Sequence, residues 1–314
     1  MFFNRSVSYR GFSCASAIFA VVALSSCFTG VESTPRITYK DVKSNNAATV
    51  SAEEALAARF SAQPFSTWTS GKRFYVTSPR ISLALSLPPG IDAPMPTAGD
   101  TITLTRISET TGLTGTGRVE IEFDSLYIYR TNASLTELRK REAVDVPFSI
   151  DLALVDSVAS ELRGRNLYVR TPLWFTTTGD AYNGRKFVPI HVVDVVPANE
   201  VYPVMVIFTD EQGETHALFM SAGNSTRWAS RDFAALFSLT DPRKNYPTIT
   251  NEMWQNIVNT RVAIGMTKPE VTLAIGSPES IDRGHNQSSA YECWNYTDGR
   301  AVVFEDGIVV RFNR

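Results

Sequence analysis

Apolar positions fall into distinct regimes along the chain. An apolar core occupies 14–24, a polar Ser/Thr/Asn-rich stretch follows to residue 50, and alternating segments fill the middle. Ser51-Ala52-Glu53-Glu54 has capping-box spacing ahead of Leu56 and Phe60, which predicts a short helix over 52–60. Period-two alternation then predicts strands over 81–87, 101–106, 118–123 and 126–129. Ser134-Leu135-Thr136-Glu137 caps another helix. The order repeats after about 90 residues, longer than a solenoid unit. Gly71-Lys72-Arg73-Phe74-Tyr75-Val76 returns in kind as Gly164-Arg165-Asn166-Leu167-Tyr168-Val169. A helical stretch at 152–162 precedes the second copy. Strands at 174–177, 188–196, 204–208 and 216–220 follow it, and Ser230-Arg231-Asp232-Phe233 opens its closing helix.

Asp241-Pro242 and Tyr246-Pro247 punctuate a polar linker. Beyond it, Met253, Ile257 and Ile264 mark a helical face that Gly265 ends. Thr267-Lys268-Pro269-Glu270 caps a second helix, which Gly276-Ser277-Pro278 stops. Strands over 290–296, 300–305 and 308–312 are joined by the tight turns Asp298-Gly299 and Asp306-Gly307. The expected fold class is α+β: two tandem β-rich α+β modules, 51–150 and 151–247, then a small helix–helix–three-strand two-layer domain, 248–314. Its locally complete caps and turns predict that this last domain folds alone.

The first 26 residues place Arg5 and Arg10 before the apolar run, the layout of a secretory signal too short to span a bilayer. Leu24-Ser25-Ser26-Cys27 resembles the bacterial lipobox, in which the cysteine becomes the first mature residue and carries acyl chains. Each buried lipid methylene contributes about 0.8 kcal/mol, so several chains make a permanent anchor. Phe28 after the cysteine, with no acid at once, resembles the pattern of outer-membrane routing. Residues 27–50 then read as a flexible tether.

Gly265-Met266-Thr267, Val271, Gly276-Ser277-Pro278, Trp294-Asn295-Tyr296 and the hairpin from Phe304 to Phe312 occur in the order and spacing of a small lipoprotein family. The C-terminal domain is similar to this SmpA/OmlA, or BamE-like, outer-membrane family. The resemblance implies a three-stranded sheet with two helices on one face. It also implies work by protein contact rather than catalysis, the best-known member being an accessory subunit of the β-barrel insertion machine. The small members place the domain directly after the lipid cysteine, whereas here over 200 residues intervene.

Composition narrows the chemistry further. The net charge is −2 and becomes more negative when Arg5 and Arg10 leave, and no basic stripe points to nucleic acid. Cys14 goes with the signal and Cys27 takes lipid, so Cys293 has no disulfide partner in the mature chain. His191 and His216 lie in alternating β sequence and His285 in a polar loop, without metal-ligand spacing or a CxxC. No Gly-x-Ser-x-Gly elbow supports a hydrolase, and no cofactor motif is present. The expectation is a non-enzymatic lipoprotein contacting an outer-membrane protein, with Trp294, Tyr296 and Phe304 as candidate contact residues. The alternative is a glycan- or peptidoglycan-binding lipoprotein stacking sugars on Trp68, Trp174 and Phe175. Asp100-Thr101-Ile102, Asp124-Ser125-Leu126 and Asp156-Ser157-Val158 resemble a short O-glycosylation signal.

Cys27→Ser is expected to leave the precursor uncleaved by the lipoprotein peptidase and the protein in the soluble fraction. Membrane fractionation checks this, and normal retention of the variant contradicts the lipobox reading.

Overall fold

A computed structural model describes residues 50–111, 117–141, 144–227, 229–285 and 290–313. The signal segment, Cys27 and the tether up to residue 49 lie outside the described residues. The rest is α+β, with three antiparallel sheets and short helices.

The first sheet holds β1 (Arg73–Val76), β2 (Leu85–Ser86), β3 (Thr101–Thr111), β4 (Gly117–Phe123), β5 (Tyr127–Arg130) and β6 (Ser149–Asp151), in the order β2-β5-β4-β3-β1-β6. The second holds β7 (Asn166–Val169), β8 (Leu173–Phe175), β9 (Ala181–Asn183), β10 (Val188–Pro197), β11 (Val204–Thr209), β12 (Thr215–Met220) and β13 (Phe237–Ser238). Their order is β13-β7-β10-β11-β12-β8-β9. Apart from the added hairpin strand β9, the two sheets are wired identically, β1 to β6 matching β7, β8, β10, β11, β12 and β13.

The match extends to single hydrogen bonds. Gly71 N–H donates to Leu104 O (2.8 Å), and Leu104 N–H donates back to Lys72 O (2.7 Å). In the second copy Gly164 N–H donates to Val192 O and Val192 N–H to Arg165 O, both 2.9 Å. A bulge follows in each long strand, at Thr105 and at Val193. Both glycines have positive φ, +94° and +76°, which a side chain at this turn would oppose. β1 and β7 then bury alternate residues in the same phase, Phe74 and Val76 against Leu167 and Val169. The modules are two versions of one fold.

Helix α1 (Ala52–Ala57) has the expected capping box, and α2 (Leu135–Arg139) is capped by Ser134. α3 (Leu152–Leu162) packs Leu154, Val155, Val158 and Leu162 into the second module, and α4 (Phe233–Leu236) starts at the Asp232 cap. In the first module one expected strand is displaced. Residues 79–83 form a 3-10 turn rather than a strand, because Pro79 fixes φ and Ser78 caps Arg80 N–H, leaving only Leu85–Ser86 to pair.

No linker separates the modules. β6 ends at Asp151, and Asp151 caps α3 by accepting from Ala153 N–H at 2.9 Å. Lys72 Nζ lies 2.8 Å from its Oδ1, with hydrogen-bond geometry, and 2.7 Å from its Oδ2 as an ion-pair contact. The ammonium also sits over the Trp68 and Phe74 rings. Both partners are largely buried. α1 does not pack on the module it precedes. Its Leu56 joins the second core, Phe60 just beyond it meets Phe233 edge-on at 5.5 Å, and Glu53 accepts from Leu239 N–H.

The third unit has α5 (Asn251–Val258), α6 (Lys268–Ile275) and four strands rather than three: β14 (Ser280–His285), β15 (Ala290–Asn295), β16 (Ala301–Glu305) and β17 (Ile308–Phe312). β14 covers Gly284 and His285, expected in a loop. Its polar sequence hides the strand, which forms by pairing with β15 along its whole length. α5 ends at Val258, so Ile264 lies beyond the helix and is exposed. Gly265 ends no helix. It sits in a segment that pairs with β17, donating to Val309 O at 2.9 Å.

The segment read as a linker is packed. Arg243 donates to the carbonyls of Tyr246 and Ile249 and lies over the Trp254 ring, which stacks on Phe187 of the second module at 5.6 Å. Ile249, Trp254, Ile257 and Phe304 share one continuous apolar core with the second module, so the last unit leans on its neighbour.

Two outcomes follow from these contacts. Asp151→Asn keeps the helix cap but strands the buried ammonium, and is expected to cost about 3 kcal/mol in denaturant unfolding. Adding Lys72→Met is expected to restore part of it. Trp254→Ala is expected to cost about 3 kcal/mol and to split one thermal transition into two, the C-terminal unit melting first.

Candidate functional site

The C-terminal sheet sorts its residues by strand parity. On one face Trp294 pairs with Val302 across the ladder, Phe304 with Val309, and all four are buried in the core with Val271, Ala274 and Ile257 of the two helices. Glu292 shares that face. It accepts from Trp294 Nε1 at 3.1 Å, with Lys268 at 3.0 Å and Arg283 at 3.2 Å. The hydrogen bond from Lys268 and that from Trp294 hold its carboxyl below the usual range. Tyr296 follows the strand and donates its hydroxyl to Gly276 O at 3.2 Å, and burial pushes its phenol up.

The candidate contact residues Trp294, Tyr296 and Phe304 are therefore core. Their rings hold the helices to the sheet. The other face of the sheet is open. It carries Tyr291, Cys293, Val303 and Ile308, with Asp282, Asn295, Glu305 and Arg311 among them. Tyr291 is 39% exposed, and Val310, the extra residue at the β16–β17 bulge, is 40% exposed. Tyr291 lies across its ladder partner Gly284, where a Cβ would meet the ring oxygen at 2.2 Å. The two-residue period in the sequence marks both faces. It does not say which one the helices cover, and the largest aromatics took the covered one.

The candidate sugar platform is also interior. Trp174 is 1% exposed, donates Nε1–H to Thr171 O, and packs on Phe208, Tyr182 and His216. Trp68 is buried beside Phe65, Phe74 and Lys72. Phe175 is half-buried, edge-on to Phe219 with Arg231 over its ring. The two tryptophans fall in different cores and form no shared groove.

The titratable side chains are scattered. His191 is exposed and pairs with Asn166 Oδ1 at 2.9 Å, and His285 is exposed on edge strand β14. His216 is buried against Trp174 and Tyr182, its Nε2 3.8 Å from Asp210 and its Nδ1 without a hydrogen-bond partner. Cys293 is a free, half-buried thiol on the open face. Among the described residues no group of His, Cys, Asp or Glu is arranged to hold a metal ion, and no helix is long and apolar enough to cross a membrane.

Lys186 went unnoticed in the sequence because one charge beside Phe187 is an ordinary surface pattern. It is buried where the second module meets α5, its N–H donating to Val258 O at 3.1 Å. Burial lowers its ammonium from 10.5 to about 8. A group with a depressed ammonium binds fewer protons folded than unfolded between those values, so stability rises as pH goes from about 8 toward 10.5. Lys186→Met is expected to be more stable than the parent at pH 7, with the gap in denaturant midpoint closing by pH 10. A gap that stays constant contradicts the burial argument.

No protein-family model matches the chain, and no curated protein or solved structure matches it.

Proposed function

We propose that the chain is a lipid-anchored outer-membrane protein that works by protein contact, not catalysis, and engages a membrane-protein complex through the open face of its C-terminal sheet. The observation that carries this reading is that face itself. Tyr291, Cys293, Val303, Ile308 and Val310 lie together on it, edged by charges of both signs, with both helices on the opposite side. An apolar centre with a polar rim suits a protein partner. The two-layer build is of the kind that the family resemblance implies, and the lipobox supports the anchor. The glycan alternative loses its platform, because a buried indole has no face to offer a sugar ring.

Val303→Glu combined with Ile308→Glu places two charges on the open face without touching the core. The pair is expected to change unfolding free energy by about 1 kcal/mol or less. It is also expected to abolish co-purification of the partner from detergent-solubilised native membranes. Full retention of every co-purifying protein by the double variant contradicts this reading.

A further inference from the structure

The helix side of the C-terminal unit is not filled throughout. A cavity of about 590 Å³ opens where the end of α5, the end of α6 and the ends of β16 and β17 converge. Its apolar lining is Val262, Ile275, Val302 and Phe312, of which Val302 and Phe312 are neighbours across the ladder. Its polar lining is asymmetric. Among the described residues, Arg261 and Arg300 are the charged side chains that line it. Arg300 commits Nε to Asp298 at 2.7 Å and lies over the Tyr296 ring, and among the described residues its terminal nitrogens have no hydrogen-bond partner. Arg261 makes no ion pair among the described residues, while its backbone N–H donates to Asn256 O at 2.8 Å.

The rim is strained. Thr260 stands beside Arg261 at a φ of +54°, a conformation that a β-branched residue rarely adopts. Strain of this kind persists where surrounding contacts over-determine it, and it clusters at ligand sites. Asn256 donates Nδ2 to Glu252 O at 3.2 Å, leaving its Oδ1 as an acceptor on the wall.

We infer that this cavity binds the C-terminal end of a polypeptide whose last side chain is apolar. Two guanidiniums suit a carboxylate, which they meet by charge-assisted hydrogen bonds. The apolar floor takes the terminal side chain. The Asn256 oxygen accepts a backbone N–H, which a fatty acid does not have. The volume lies within the range of small-ligand pockets and holds a few residues rather than a long segment. The site is on the helix side of the sheet, so it stands independently of the open-face reading.

Isothermal titration of the full chain in detergent tests it with three probes: N-acetyl-Gly-Leu-Phe with a free carboxylate, the same peptide as its C-terminal amide, and decanoate. The acid is expected to bind at least about tenfold more tightly than either of the others. Arg261→Gln is expected to weaken the acid about tenfold while leaving the thermal midpoint unchanged. Val303→Glu, on the far face, is expected to leave peptide binding as it was. Equal binding of acid and amide, tighter binding of decanoate, full affinity in Arg261→Gln, or no binding of the acid at about 5 mM overturns the inference.

Discussion

One buried ion pair fixes the first module against the second. Asp151 ends the last strand of the first module, caps the first helix of the second, and neutralises Lys72 at the turn that starts the first sheet. A carboxylate doing all three leaves no room for a hinge, because moving the helix away from the sheet strands a buried ammonium between two aromatic rings. The equivalent position in the second copy shows what was changed. Arg165 stands where Lys72 does and pairs with Glu161 at 3.2 Å, but on the surface, where such a pair contributes little. The same fold used twice has a buried, specifying charge at the internal junction and a solvated one elsewhere.

The second junction is made differently. Arg243 satisfies two loop carbonyls and stacks on Trp254, and Trp254 stacks on Phe187. The last unit thereby surrenders part of its core to its neighbour and keeps one sheet face free. The helices and the second module cover Trp294 and Phe304, and Tyr291, Val303 and Ile308 at alternate positions are left facing out.

Much of this was legible in the sequence for local reasons. Capping boxes at Ser51, Ser134 and Thr267 are all formed, because a hydroxyl and a carboxylate three residues apart satisfy helix donors without help from elsewhere. The repeat was visible through Gly71 and Gly164, since positive φ restricts the residue type. What stayed hidden was decided by distant partners. β14 is polar and becomes a strand only against β15. Ile264 looks like a continuation of the helical period but falls after the helix has stopped at Val258. The site residues suffered most, because an aromatic ring reads alike whether it holds a core together or meets a partner. Trp68, Trp174 and Trp294 all proved to be doing the former.

The open side of the C-terminal sheet is the surface proposed to meet another protein. Photo-cross-linkers placed singly at 291, 303 and 308, with 191 on the second module as control, test this in native membranes. Adducts to one membrane-protein partner are expected from the three sheet positions and none from the control. No adduct from the sheet positions, or the same adducts from all four, would show that the open face is ordinary solvated surface.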